Sequence, residues 1–180
     1  MTKFLKVIVA ILSICYPFIV YWGMLNYDVN LLLMLLLFFM GIRLIVGGGL
    51  EERKIIIGTM LCIGVITLFG DGKLGLKFYP VLVNLGFFIV FITSLFSQTS
   101  IVERIARINE PSLTPDAIAY TRKVTWAWSL FFLLNGGVAA VTALWASEKV
   151  WLLYNGFIAY MLICSLFVGE WIVRKYYRTN

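Results

Sequence analysis

Four polar side chains stand inside long apolar stretches of this 180-residue chain and are its first candidates for chemistry: Asn84, Asn135, Asn155 and Glu170. The three amides can both donate and accept hydrogen bonds, and the carboxylate can bind a cation or a proton. If the apolar stretches cross a membrane, polar groups within them are costly, and each marks either a functional site or a contact between helices.

Two of the amides share a local pattern, because Asn135-Gly136 and Asn155-Gly156 each follow a run of apolar residues. Glycine lets two helix backbones approach closely, and an asparagine can then bridge them by a hydrogen bond. We favour this interhelical contact, and a ligand-binding pair is the alternative. Glu170 can pair with Arg174 one helical turn further on or with Arg43, and proton coupling or head-group contact are its functional alternatives.

The residues that usually carry catalysis are scarce. Histidine is absent, which removes the usual general base near neutral pH and the commonest metal ligand. The cysteines each stand alone in an apolar stretch and are expected to be small buried hydrophobic residues: Cys15, Cys62 and Cys164. Adjacent carboxylates occur only at Glu51-Glu52, beside Arg53-Lys54, where a solvated turn is expected. We therefore predict a non-enzymatic protein without cofactor or metal.

The composition indicates that lipid, and not water, surrounds most of this chain. Hydrophobic residues make up 62% of the sequence and charged residues 13%, against about 45–50% and about 25% in soluble domains. Six apolar runs approach the length that crosses about 30 Å of hydrocarbon: 5–25, 31–46, 55–69, 76–96, 124–146 and 150–173. The sequence predicts an all-α, polytopic membrane helical bundle of about six transmembrane helices in one domain, 1–180.

The distribution of Lys and Arg predicts the orientation. With a cytoplasmic N-terminus, the cytoplasmic side receives Lys3, Lys6, Arg43, Arg53, Lys54, Arg104, Arg107, Arg122, Lys123, Arg174, Lys175 and Arg178, and the other side receives Lys73, Lys77 and Lys149. This bias of twelve to three follows the positive-inside rule and puts both termini in the cytoplasm. The net charge of +6 is thus explained by membrane orientation, and we expect no nucleic-acid binding.

One long cytoplasmic loop, 97–123, carries its own helix signals. Ser100 and Glu103 form a Ser-x-x-Glu capping box, and apolar residues follow at helical spacing. This predicts a short amphipathic helix on the membrane surface between spans four and five. Thr114 and Pro115 then predict the start of a second short helix. The loop is either a plain linker or a docking surface for lipid or a cytoplasmic partner, through Arg104, Arg107, Arg122 and Lys123.

Two Tyr-Pro steps interrupt predicted spans, Tyr16-Pro17 in the first and Tyr79-Pro80 in the fourth. Proline removes one helical hydrogen bond and kinks a helix interior, whereas it is tolerated in a first turn. We expect a kinked first span, and we expect Pro80 to lie near the start of the fourth.

Much of the second half resembles an uncharacterised bacterial inner-membrane family, some members of which are mislabelled as a DNA gyrase. The matching strings are Tyr79–Asn84, Ile101–Arg107 with Glu110-Pro111, Tyr120–Thr125, Phe131-Phe132 with Asn135-Gly136, Leu153–Gly156, and Gly169–Trp171 with Val173-Arg174. The resemblance covers residues 79–175 well, and only Tyr16-Pro17 with Tyr21 fits before them. Family members are often encoded beside fatty-acid-synthase-like enzymes that make aryl polyene pigments.

A more distant likeness is to the intracellular septation protein A family, through Trp126–Phe132 and Trp151. Neither resemblance implies a catalytic residue. The first implies an inner-membrane scaffold for envelope or lipid-like biosynthesis, with acyl-chain enzymes or an acyl carrier protein as partners. The alternatives are a transporter or flippase for a lipid-linked or acyl product, an envelope factor that works with division proteins, and a membrane acyl or glycosyl transferase.

Overall fold

The computed structural model describes residues 15–46, 49–70 and 72–179, and no strand occurs in these ranges. The helices are α1 over residues 15–26, α2 Val29–Val46, α3 Leu50–Phe69, α4 Gly72–Ser94, α5 Ile101–Asn109, α6 Pro115–Trp145, α7 Glu148–Leu153 and α8 Ala159–Thr179. A π-helical segment, Tyr154–Ile158, joins α7 to α8. The all-helical prediction is confirmed, whereas residues 5–14 of the predicted first span, with Lys3 and Lys6, lie outside the described residues.

Three helices in the described part of the chain are long and apolar enough to cross a membrane: Gly72–Ser94, Pro115–Trp145 and Glu148–Lys175. A shorter apolar helix covers Val29–Ile45. Helix α3 begins at Leu50, before the predicted start of the third span at residue 55, and carries Glu51 and Glu52 in its first turn. Acidic side chains in the first turn interact favourably with the helix dipole, which accounts for the earlier start.

Helix α6 is longer than the predicted fifth span, because it takes up the end of the cytoplasmic loop. Its 31 residues start at Pro115, and the Thr114 hydroxyl accepts a hydrogen bond from the backbone N–H of Ala117. The predicted cap is therefore present, but the second short helix continues without a break into the span. A helix of this length is about 46 Å long at 1.5 Å per residue.

Helices α4 and α6 form the most extensive helix pair of the bundle. The buried face of α6 carries small and polar residues at helical spacing: Thr121, Thr125, Ser129, Asn135, Gly136, Ala139, Thr142 and Ala143. The hydroxyls of Thr125 and Ser129 donate to the carbonyl four residues earlier, at 2.8 Å each. Small residues permit close approach of helices in lipid, so this face explains the extensive packing of α6 against α4.

A second core joins the first half of the chain to α7. Ile63 on α3, Leu76 on α4 and Trp151 on α7 are all fully buried there. The indole Nε1 of Trp151 donates to the carbonyl of Lys77 at 3.2 Å. This contact fixes the start of the last helix against α4.

The outward surface of the helices is apolar. Met34, Leu61 and Trp126 are each more than half exposed, as are many other large hydrophobic residues. A soluble monomer rarely exposes contiguous apolar patches of this extent, so the surface fits a lipid environment. The prediction of buried cysteines is wrong, because all three are exposed on this surface. In lipid, a small apolar thiol can face outward without an unfavourable transfer to water.

Candidate functional site

Two of the asparagines predicted as intramembrane candidates meet across α4 and α6. The Asn135 side chain donates through Nδ2 to Asn84 Oδ1 at 3.0 Å, and its own Oδ1 accepts from the Tyr154 hydroxyl at 2.8 Å. Asn84 donates in turn to the carbonyl of Pro80 at 2.8 Å. One chain of hydrogen bonds therefore links α4, α6 and the π-helical segment, and Asn135 is only 5% exposed.

The third asparagine lies in the π-helical segment and has different partners. Asn155 donates through Nδ2 to the Thr142 hydroxyl at 3.2 Å and to the Trp151 carbonyl at 3.0 Å. An added Cβ at Gly156 would lie 3.1 Å from the ring of Phe18, so glycine permits a close approach of α1 there. The two Asn-Gly steps thus make separate interhelical contacts, and their hydrogen bonds support the packing interpretation.

Glu170 lies at the wall of a groove between α5, the start of α6 and the end of α8. Its Oε1 is 3.6 Å from Arg174 Nε and accepts from the Tyr120 hydroxyl at 3.4 Å. The same hydroxyl donates to the Glu170 carbonyl at 3.2 Å. The groove has a volume of about 720 Å³, and Val102 and Ala106 of α5 line its opposite side. Of the two partners predicted for Glu170, the structure shows Arg174.

Helix α5 is held to the bundle by buried polar contacts at its first turn. Ser100 is fully buried and caps the helix, accepting from the Glu103 backbone N–H at 3.4 Å. The Ile101 N–H donates to the Ser94 hydroxyl at 3.0 Å. Of the predicted capping box, the serine half is present, whereas the Glu103 carboxylate accepts from Arg107.

The ion pair between Glu103 and Arg107 is asymmetric. Arg107 donates from Nε and Nη2 to Glu103 Oε1, at 2.9 and 2.7 Å, and from Nη1 to the Pro111 carbonyl at 2.9 Å. The Glu103 side chain is 2% exposed, and its second oxygen, Oε2, is buried without a hydrogen-bond partner. The hydrogen bonds of Arg107 therefore stabilise the conformation of the loop. They also pair the Glu103 carboxylate, which would otherwise be a buried charge without a partner.

The other basic residues of the predicted docking set divide into two kinds. Arg122 is half-buried and donates to the carbonyl of Leu95 at 2.8 Å, which joins α6 to the end of α4. Arg104 bonds to Thr99 and Ser97 but stays exposed, and Lys123 is exposed. Arg107 and Arg122 therefore hold the loop through partly buried contacts, whereas Arg104 and Lys123 are exposed cations.

One partly buried charged contact between α2 and α3 is not predicted by the sequence. Arg43 Nε donates to Glu52 Oε1 at 2.9 Å, so Glu52 does not lie in a solvated turn as expected. The position of Arg43 within the second apolar run is the signal that marks it, because an ionisable residue in a span is rare. Its partner cannot be read from the sequence, since the approach of α2 to α3 decides it.

Comparisons of the chain with protein-family models, with curated proteins and with solved structures give no match. The structure contains an asparagine network inside the bundle and, near one end of α4, α6 and α8, an anchored amphipathic helix beside a groove.

Proposed function

We propose that the protein is a non-enzymatic accessory protein of a bacterial inner membrane that docks cytoplasmic partners on α5 and the start of α6. We further propose six membrane crossings with both termini in the cytoplasm. The charge bias of the loops supports this orientation. The alternation of α2, α3, α4, α6 and the α7–α8 helix along the chain is compatible with it.

The anchoring of α5 is the observation that carries the docking proposal. A passive linker needs no buried polar contacts, whereas here Ser100 and Glu103 are almost completely buried. The anchored helix turns Ile105 and Ile108 outward, at 55% and 79% exposure. These apolar residues suit the membrane surface, and the exposed Arg104 lies beside them on the same helix.

The chemistry of this surface favours an acidic partner. Arg104 and Lys123 are exposed cations, and complementary charges raise association rates and fix orientation. An acyl carrier protein or an acyl-chain biosynthetic enzyme fits this description, in line with the family that the second half of the chain resembles. The proposed role is to hold such enzymes at the membrane during envelope or lipid-like biosynthesis, and a division protein is the alternative partner.

The burial and hydrogen bonding of the asparagines argue against the transport alternative. A transport path through Asn135 and Asn155 needs their amides to face a cavity, whereas both are 5% exposed and bonded to neighbouring helices. Glu170 lines the groove at the end of α8, and its carboxylate already accepts from Tyr120.

Photocrosslinking tests the docking proposal. A photoreactive residue at Arg104 or Lys123 is expected to capture acyl carrier protein or acyl-chain enzymes in cells, identified by mass spectrometry. Lys149, an exposed lysine beyond the other end of α6, is the matched control and is expected to capture none of them. Capture of lipid alone at both positions would contradict the proposal.

A further inference from the structure

A narrow crevice lies between α1, α2 and α4, apart from the groove and the asparagine network. Its volume is about 100 Å³, and its lining includes Tyr16, Ile19, Leu36, Phe39, Arg43 and Tyr79. Ile19 and Phe39 are more than 40% exposed, so the crevice opens on the outward surface of the helices. Nearly all of its wall is apolar.

The polar groups of the crevice gather around Arg43. The guanidinium contacts the hydroxyl of Tyr79 and pairs with Glu52. The Tyr79 ring packs against that of Tyr16 with centroids 4.4 Å apart, so the aromatic wall next to the cation is fixed. A guanidinium has five N–H donors, and can therefore serve a carboxylate, a hydroxyl and a further anionic oxygen at once.

We propose that this crevice binds one acyl chain of an anionic phospholipid, whose phosphate lies against Arg43. The lining of α2 runs from Leu32 to Arg43, a separation of eleven residues, or about 16 Å of helix at 1.5 Å per residue. An elongated apolar cleft with one cation at its end matches a chain that carries an anionic head. Its volume of about 100 Å³ is too small for a helix of a partner protein. Because the crevice opens on the outward surface, a single chain can lie along it with its other side in the surrounding lipid.

The position of Arg43 in its helix identifies the leaflet. Arg43 lies in the last turn of α2, and the proposed orientation of the protein puts that end at the cytoplasmic side. Arginine binds phosphate through paired N–H groups, and basic pockets between transmembrane helices on this side suit anionic head groups. The inference rests on the proposed orientation but not on the docking of a protein partner.

Native mass spectrometry of the purified full-length protein tests the inference. The protein is titrated with phosphatidylglycerol and with phosphatidylcholine of the same chain length, and the bound lipids are counted. Wild-type protein is expected to retain phosphatidylglycerol several-fold better. Arg43→Gln is expected to abolish this preference, whereas Arg53→Gln, an exposed arginine of α3, keeps it. Ile19→Trp fills the crevice without changing charge and is expected to reduce phosphatidylglycerol binding.

Three results would overturn the inference. Equal retention of the two lipids by wild-type protein would show that no anionic head group is selected. Equal losses in Arg43→Gln and Arg53→Gln would assign the preference to general surface charge. Unchanged binding in Ile19→Trp would show that the chain lies elsewhere, and this variant decides the question even if Arg43→Gln does not fold.

Discussion

The hydroxyl of Tyr16 on α1 donates a 2.7 Å hydrogen bond to the backbone carbonyl of Leu76 on α4. Leu76 lies four residues before Pro80, which has no N–H and cannot bond to that carbonyl. In lipid, a freed backbone group must find another partner within the protein. Tyr16 supplies that partner, so a hydroxyl of α1 replaces the backbone hydrogen bond that Pro80 removes from α4.

This relationship predicts a coupled effect on stability. Tyr16→Phe keeps the ring but leaves the Leu76 carbonyl unpaired, and is expected to cost about 0.6–1.7 kcal/mol of unfolding free energy. Pro80→Ala restores the backbone donor, so Tyr16→Phe is expected to have little effect in that background. A double-mutant cycle from reversible unfolding in detergent measures the coupling. If Tyr16→Phe lowers the unfolding free energy equally in the wild-type and Pro80→Ala backgrounds, Tyr16 does not compensate for the missing N–H of Pro80.

Adjacent glycines of α6 provide a matched test of the α4–α6 contact. A Cβ added at Gly136 would lie 3.0 Å from Asn84 Cβ, whereas one at Gly137 would meet nothing within 4 Å. Gly136→Ala is expected to cost about 1–3 kcal/mol by overpacking. Gly137→Ala is expected to be neutral or slightly stabilising, because alanine is the better helix former. Thermal unfolding in detergent compares them, and equal losses would argue against a close approach at Gly136.

The anchoring of α5 predicts that its two arginines respond differently to truncation. Arg107→Ala leaves the buried Glu103 carboxylate without its partner, and is expected to cost about 1–3 kcal/mol. The result is local opening, measured as faster proteinase K cleavage within residues 97–123. Arg104→Ala is the control and is expected to change the rate much less, because the hydrogen bonds of Arg104 to Thr99 and Ser97 are exposed and no buried charge loses its partner.

A second variant tests the cause of that opening. Glu103→Leu combined with Arg107→Ala removes both charges, and is expected to cleave more slowly than Arg107→Ala alone. If the double variant opens as fast as the single one, the stability of α5 does not depend on the pairing of the buried carboxylate.

The proposed orientation predicts opposite labelling of two lysine positions. Lys123 is separated from the end of α6 at Trp145 by 22 residues, or about 33 Å at 1.5 Å per residue, close to the thickness of the hydrocarbon core of about 30 Å. The native cysteines are first replaced by alanine. Lys149→Cys is then expected to react with an impermeant maleimide in spheroplasts, and Lys123→Cys only in inverted vesicles. Labelling of both from the same side would contradict the crossing of α6.

Local signals account for the features that the sequence predicts well. The caps at Ser100 and Thr114 depend on neighbouring residues, and both hydroxyls accept the expected backbone N–H groups. The pairing of Glu170 with Arg174 likewise spans one helical turn. The helical class follows from the length of the apolar runs, because only helices and closed barrels satisfy a backbone in lipid.

Contacts between distant helices are not specified by the sequence. The Asn-Gly pattern predicts a contact of Asn135 with the helix of Asn155, and Asn135 does reach Tyr154, but its other partner is Asn84 on α4. The prediction that Pro80 lies near the start of its helix is wrong, because α4 begins at Gly72 and the proline lies in its interior. Such features depend on which helices meet and at what depth, which no local pattern specifies.

Charge reversal at the docking surface tests the central claim most directly. Arg104→Glu with Lys123→Glu inverts the exposed charge and spares the structural Arg107 and Arg122, and Lys149→Glu is the control. Partners are co-purified from crosslinked membranes and quantified by mass spectrometry. The docking account predicts a several-fold loss of acyl carrier protein or acyl-chain enzymes in the double variant and no loss in the control. Undiminished recovery of every partner by the double variant would contradict it.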